Sequence, residues 1–149
     1  EISAFATEPH YQAQHNINYW SFGDYIGIGA GAHGKITHLS TQEIIRTQKT
    51  RSPKDYLNNS KPYTSVKAPI LKEDLIIEFF MNTLRMNAGF SLNSFEQRTG
   101  LSRNIITPKL KCLIDKGLII SNKDRYYTSA LGQKYLNTVL VELSSIPLL

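Results

Sequence analysis

Gly117-Leu118-Ile119-Ile120-Ser121-Asn122-Lys123-Asp124-Arg125-Tyr126-Tyr127-Thr128 reads as a small β-hairpin: an aliphatic run, a polar turn over Ser121–Asp124, and a β-prone aromatic run. Working outward, the residues before it recur at helical spacing. Ile106, Leu110, Leu113 and Ile114 share one face of a helix over Ser102–Lys116 that Gly117 closes. Pro108 sits inside that helix, so either the helix is kinked or it begins with Thr107 as cap and Pro108 in its first turn. Further back, Leu92–Arg98 makes a short helix ending at Gly100. In 71–88, Leu71, Leu75, Ile76, Phe79, Phe80, Thr83 and Leu84 form an apolar stripe, with Gly89 as its stop. After the hairpin, a last helix is predicted from about Ala130 to Leu143.

Helix, helix, helix, hairpin, helix is the order of a winged-helix domain, which places such a domain over about 70–149. Residues 51–69 carry three prolines, Pro53, Pro62 and Pro69, among many polar turn formers, and read as a loop or linker. Residues 1–50 are strand-like and glycine-rich. The fold class is therefore α+β.

With 149 residues and 41% apolar content the chain is long enough to bury a core. The net charge of +5 is spread, 7 basic against 5 acidic residues in 1–70 and 10 against 7 in 71–149, which permits a nucleic-acid footprint without demanding one. The single cysteine, Cys112, excludes an internal disulfide and holds neither a structural zinc nor an iron–sulfur cluster alone, so a reducing, cytoplasmic setting is expected. No apolar run reaches the length of a membrane span, and the first residues lack the pattern of a signal peptide. A start at Glu1 rather than Met reads as an excised piece.

Two stretches carry candidate chemistry. In Tyr25-Ile26-Gly27-Ile28-Gly29-Ala30-Gly31-Ala32-His33-Gly34 the scarcity of side chains lets backbone approach a ligand closely, or else marks a tight strand-end turn. The Gly27-x-Gly29-x-Gly31 spacing is not the dinucleotide fingerprint. In His15-Asn16-Ile17-Asn18-Tyr19-Trp20 the imidazole is a possible axial ligand for haem iron, with Tyr19 and Trp20 to flank a flat porphyrin. A hydrogen-bonded histidine beside a buried aromatic pair accounts for the same residues. His10 and His38 read as surface residues, and no catalytic triad, carboxylate pair or phosphate loop is visible.

Taken together, Glu1-Ile2-Ser3-x-Phe5-Ala6, His15-Asn16-x-x-Tyr19-Trp20 and Tyr25-x-Gly27-x-Gly29-x-Gly31-Ala32-His33 resemble the end of the catalytic barrel of the HemW family of radical S-adenosylmethionine (SAM) proteins. These are relatives of the oxygen-independent coproporphyrinogen III oxidases. Glu78 with Leu84-Arg85, Gly117-Leu118-Ile119, and Thr128 with Gly132 resemble the C-terminal domain of the same family. The resemblance implies a remnant of a TIM-like radical-SAM barrel over 1–50, followed by the winged-helix-like domain. It further implies a parent with SAM, a [4Fe–4S] cluster and haem or porphyrin as ligand, and the upstream barrel as partner. His15, Tyr19 and Trp20 would contact haem, and Gly29, Ala30, Gly31, Ala32 and His33 would line the SAM pocket. The cluster's Cys-x-x-x-Cys-x-x-Cys motif is missing here, so no catalytic residue is assigned to this chain. Within the family the alternative is an oxidase rather than a chaperone. Outside it, Arg103, Asn104, Lys109 and Lys111 on the third helix, with Lys123 and Arg125 in the wing, would suit DNA, a reading that Asp115, Asp124 and the prolyl break argue against.

Overall fold

The computed structural model describes residues 5–146. In chain order it contains helices α1 (Gln14–Trp20), α2 (Pro53–Tyr56), α3 (Lys72–Thr83), α4 (Leu92–Thr99), α5 (Thr107–Asp115), α6 (Ala130–Lys134) and α7 (Leu136–Ser144). The strands are β1 (His33–His38), β2 (Glu43–Lys49), β3 (Thr64–Pro69), β4 (Phe90–Ser91), β5 (Ile119–Asn122) and β6 (Arg125–Thr128). The α+β class is as expected. Two compact units divide the chain, one made of 1–22 and 72–149, the other of 23–71.

In the first unit, α3 carries the core. Leu75, Ile76, Phe79, Phe80 and Thr83 lie at helical spacing and are all buried, while Glu73 and Asp74 in the first turn complement the helix dipole. Phe79 is the hub: its ring meets those of Phe22, Phe80, Phe90 and Phe95 edge-on at 5.9, 5.5, 5.5 and 5.2 Å. Val139 and Leu143 of α7 and Leu110 and Leu113 of α5 complete the core. At the start of α4, Ser91 and Ser94 form a reciprocal capping box, and Gly100 ends the helix at φ 71°.

Of the two readings offered for Pro108, the structure takes the second in substance. A 3-10 turn at Arg103–Ile105 precedes α5, which starts at Thr107 with Pro108 in its first turn, where the missing N–H costs nothing. Thr107 is not itself the cap; its hydroxyl donates to the Arg103 carbonyl at 2.8 Å. The hairpin forms with Ile119 opposite Thr128 and Asn122 opposite Arg125, so its loop is only Lys123-Asp124, tighter than the four-residue turn expected. Lys123 takes φ 55° to make it. Strand β4 pairs with β6 and extends the hairpin to three strands in the order β4-β6-β5.

Four expectations are corrected. The first helix stops at Thr83, and Gly89 serves instead the entry to β4, where φ is 58° and a Cβ would meet the Tyr126 carbonyl at 1.9 Å. The last helix is broken at Tyr135, with φ −111° and ψ 35°. Residues 51–69 are not mere linker: Ser52 caps α2 by accepting the Asp55 amide, and β3 pairs with β2. Lastly, 1–50 is not all strand and loop, because α1 lies within it.

In the second unit β1, β2 and β3 form a meander in that order, both pairs antiparallel. Radical-SAM barrel strands of the TIM-like type would be parallel, so this sheet is not an arc of such a barrel. Lys35 on β1 is only 3% exposed and donates to Asp24 at 3.2 Å. The Thr37 amide and hydroxyl also donate to Asp24, at 2.8 and 2.9 Å.

Candidate functional site

Helix α1 has no side-chain cap and no fully buried residue, so its position rests on one face packed toward α3. Ala13 just before it, with Asn16, Ile17 and Trp20 on it, lines a cavity of about 610 Å³ in the first unit. That volume falls within the range of roughly 300–1,000 Å³ typical of small-molecule and cofactor pockets. The opposite wall comes from the turn after α3 (Arg85, Met86, Asn87, Ala88, Gly89), from Phe90 of β4, from Ser94, Gln97 and Arg98 of α4, and from Arg125 of β6. Phe5, Tyr11 and Gln133 also contribute.

The expected haem-contact trio is divided over two stripes of α1. Trp20 lies on the cavity wall, half-buried. His15 and Tyr19 are four residues apart, exposed, and pair edge-on at 6.1 Å between ring centroids. At about 100° per residue, their stripe lies roughly 130° around the helix from the cavity-lining one. His15 therefore offers its ring to solvent, next to Asn16, which does line the cavity.

Gly29, Ala30, Gly31, Ala32 and His33, expected to line a SAM pocket, lie in the other unit. Gly29 and Gly31 adopt φ 102° and 71°, backbone that side chains disfavour. Three of the segment's amides are already engaged: Gly29 N–H donates to the Tyr56 hydroxyl at 3.3 Å, Gly31 N–H to the Thr50 carbonyl at 2.9 Å, and Ala32 N–H to the Gly29 carbonyl at 3.2 Å. A Cβ on Gly29 would meet nothing within 4 Å, so this position is open to a ligand, whereas Gly27 is glycine because a Cβ there would strike the His33 carbonyl at 2.2 Å. Glu1, Ile2 and Ser3 lie outside the described residues.

Two of the residues considered for DNA are committed elsewhere. The Arg103 guanidinium is forked onto Glu96, whose carboxylate also accepts the Arg103 amide at 2.9 Å. These hydrogen bonds hold the Glu96 carboxyl below the usual carboxylate range. Arg125 donates to the carbonyls of Ala88 and Gly89, both at 2.9 Å, and faces the cavity. Arg85 entered the sequence reading only within the Leu84-Arg85 resemblance and Arg98 only as a helix end; neither was singled out as a site residue, because they share a cavity wall with Arg125 only through the fold.

A [4Fe–4S] cluster does not fit this chain's own residues. The sequence has one cysteine, and among the described residues no group of three or more His, Cys, Asp or Glu could hold a metal ion. Among those residues, too, no helix is long and apolar enough to cross a membrane.

Comparison with known proteins gives these features a context. Residues 70–134 match the HemN C-terminal domain family. Over 140 residues, 94% of this chain, it is 42% identical to "Heme chaperone HemW" of Buchnera aphidicola subsp. Schizaphis graminum and 40% identical to "Heme chaperone HemW" of Escherichia coli K12. In each case it spans 36% of the relative's length. Among solved structures, the Escherichia coli radical SAM enzyme coproporphyrinogen III oxidase (HemN) matches with a TM-score of 0.52 over 83% of this chain and 29% of that one, at 16% identity, a likeness of fold alone. With some two-fifths of its residues shared with HemW proteins across almost its whole extent, and a HemN C-terminal domain over 70–134, the chain belongs to the HemW family.

Proposed function

We propose that this chain is the haem-handling part of a HemW-type radical SAM haem chaperone, with His15 as an axial ligand of haem iron and Tyr19 and Trp20 flanking the macrocycle. The observation that carries this reading is the presentation of His15 on α1. The imidazole is exposed and steadied edge-on by Tyr19, on the same helix whose other stripe, through Trp20, lines a cofactor-sized cavity. A histidine held this way is available to iron, whereas the competing account, a hydrogen-bonded histidine beside a buried pair, calls for burial that His15 lacks. Haem here is cargo, so binding and release are the chemistry this segment needs.

The finer assignments follow from the family. SAM and its cluster belong to an upstream radical-SAM barrel, and Gly29–His33 would touch SAM where the open side of Gly29 allows close approach. In this reading the antiparallel sheet of 23–71 is carried at the end of that barrel rather than forming its wall. Residues 70–149 form a winged-helix-like domain, supported by the order α3, α4, α5, β5–β6 and α6–α7. A cytoplasmic setting accords with the single cysteine. DNA is the weaker partner, since Arg103 is held by Glu96 and Arg125 turns to the cavity. An oxidase remains the alternative on the fold likeness.

The test is a haemin titration of the full-length protein reconstituted with its cluster, followed in the same sample by an assay for coproporphyrinogen decarboxylation. Stable haemin binding without turnover is expected, and turnover to protoporphyrinogen would make the oxidase reading correct. His15→Ala should remove the ligation-dependent change in the haem absorption band and weaken binding by about 10-fold or more. An unchanged spectrum and affinity in that variant would rule out His15 as the ligand.

A further inference from the structure

Arg85, Arg98 and Arg125 come from three separate elements, the turn after α3, the last turn of α4 and the first residue of β6, yet all three line the one cavity. Among the described residues, no aspartate or glutamate lines it. Elsewhere four cations pair with carboxylates: Lys35 with Asp24, Lys61 with Asp55, Arg103 with Glu96, Lys116 with Glu142. Inside the cavity the arginines do not. Arg85 donates its Nε to the Met81 carbonyl at 2.8 Å, Arg125 donates to two carbonyls, and Arg98 has neither hydrogen bond nor ion pair among the described residues.

Like charges gathered in one concavity repel one another, and an anion entering it relieves the repulsion. A guanidinium fork matches a carboxylate in geometry as well as in charge. The rest of the wall, with Trp20, Met86 and Phe90, suits a flat apolar body. The cavity thus asks for a ligand with a planar apolar part and an acidic edge, and disfavours the sulfonium cation of SAM. We infer that it takes the carboxylate-bearing edge of a tetrapyrrole, anchored by Arg85, Arg98 and Arg125. This inference rests on the haem reading and deepens it: recognition would reside in the acid groups of the ligand, apart from the iron.

Trp20 is the only tryptophan of this chain and lies on the cavity wall, so its fluorescence reports on that cavity. The probes are metal-free protoporphyrin IX, whose two carboxylates are free and which has no iron for His15, and its dimethyl ester. They are titrated into the full-length protein and into a variant in which Trp20→Phe supplies the background. The Trp20-dependent quenching should show the diacid binding at least about 10-fold tighter than the diester, and rising salt should narrow the gap. Arg98→Gln should shrink the preference several-fold, and Arg85→Gln with Arg98→Gln should abolish it. Arg125 is left in place because its hydrogen bonds hold the carbonyls of Ala88 and Gly89. Equal binding of diacid and diester, no response of Trp20 to either, or arginine variants that keep the full preference would each overturn the inference. A haemin titration of the same samples separates this failure from that of the parent reading. If His15-dependent ligation persists while the diacid preference is missing, the haem reading stands and only the arginine anchor falls.

Discussion

Asp24 illustrates how one carboxylate organises the start of the 23–71 sheet. Burial, the largest single influence on its pKa, pushes that pKa up, but the Thr37 amide, the Thr37 hydroxyl and the Lys35 ammonium together outweigh it and hold the carboxyl below its usual value. A carboxyl depressed in the folded state contributes stability that is present above its unfolded pKa, near pH 4, and lost as pH falls through the lower folded value. Asp24→Asn should therefore destabilise the sheet at pH 7 and flatten the loss of stability on acidification. The Asp24 side chain is 42% exposed, so solvent screening reduces the cost to about 1 kcal/mol. Denaturant melts of the two proteins at pH 7 and pH 3 check this. A gap between them that is as wide at pH 3 as at pH 7 would mean that the effect does not come from the charge on Asp24.

At the level of elements, the placement of α6 against the hairpin rests on a missing side chain. Ser129 caps α6 by accepting the Gly132 amide at 2.9 Å and donates to the Gly117 carbonyl at 2.6 Å, and a Cβ on Gly132 would come within 1.9 Å of the Leu118 carbonyl. Gly132→Ala should thus lever α6 away from β5 at a cost of about 2 kcal/mol or more. Gly117→Ala, where φ is 69° and a Cβ meets nothing within 4 Å, should cost only the left-handed backbone penalty of about 1 kcal/mol. Thermal melts that reverse this order would refute the packing argument. These elements also mark what could be read ahead. Helix α3 was legible because its buried residues recur at i, i+1, i+4, i+5 and i+8, and the hairpin because aliphatic and aromatic runs flank a polar turn. Helix α1 was not, because Gln14–Trp20 has neither a buried stripe nor a capping side chain, so tertiary contact decides it. In 51–69 the prolines misled: Pro53 opens α2 and Pro69 ends β3, so they bound structure rather than exclude it. His15, Tyr19 and Trp20 were found as a local cluster, but their division between two stripes of one helix needs the helix to be known, and the arginines of the cavity lie 13 and 27 residues apart, beyond any local pattern.

At the level of the whole molecule, the apolar burial is distributed unevenly. Phe22, Phe79, Phe80, Phe90, Phe95, Ile106, Leu110, Leu113 and Leu143 are buried in the unit that contains α1 and the cavity. Ile44 is the one apolar side chain of the 23–71 unit that is buried among the described residues, and the side chain of Lys35, ammonium included, is buried in the same unit. Burying apolar area contributes about 25 cal/mol per Å², while a buried ammonium contributes through its partners and costs desolvation. Strand β3, at the edge of its sheet, leaves nearly every residue exposed, including Val66 at 46%. Local opening should therefore be easier in the sheet than in the helical unit. Native-state hydrogen exchange on the full-length protein should find the amides of β2 and β3 exchanging on the order of 10-fold or more faster than those of α3 and α5, a difference of about 1.4 kcal/mol or more in opening free energy. On the proposed function, α1 and the arginine cavity would then stand on the more stable scaffold that a cargo site needs, and Gly29–His33 on the part freer to adjust around a ligand. Equal protection in both units would mean that the sheet draws its stability from beyond its own side chains, and a stiff 23–71 unit would remove the basis for that division of labour.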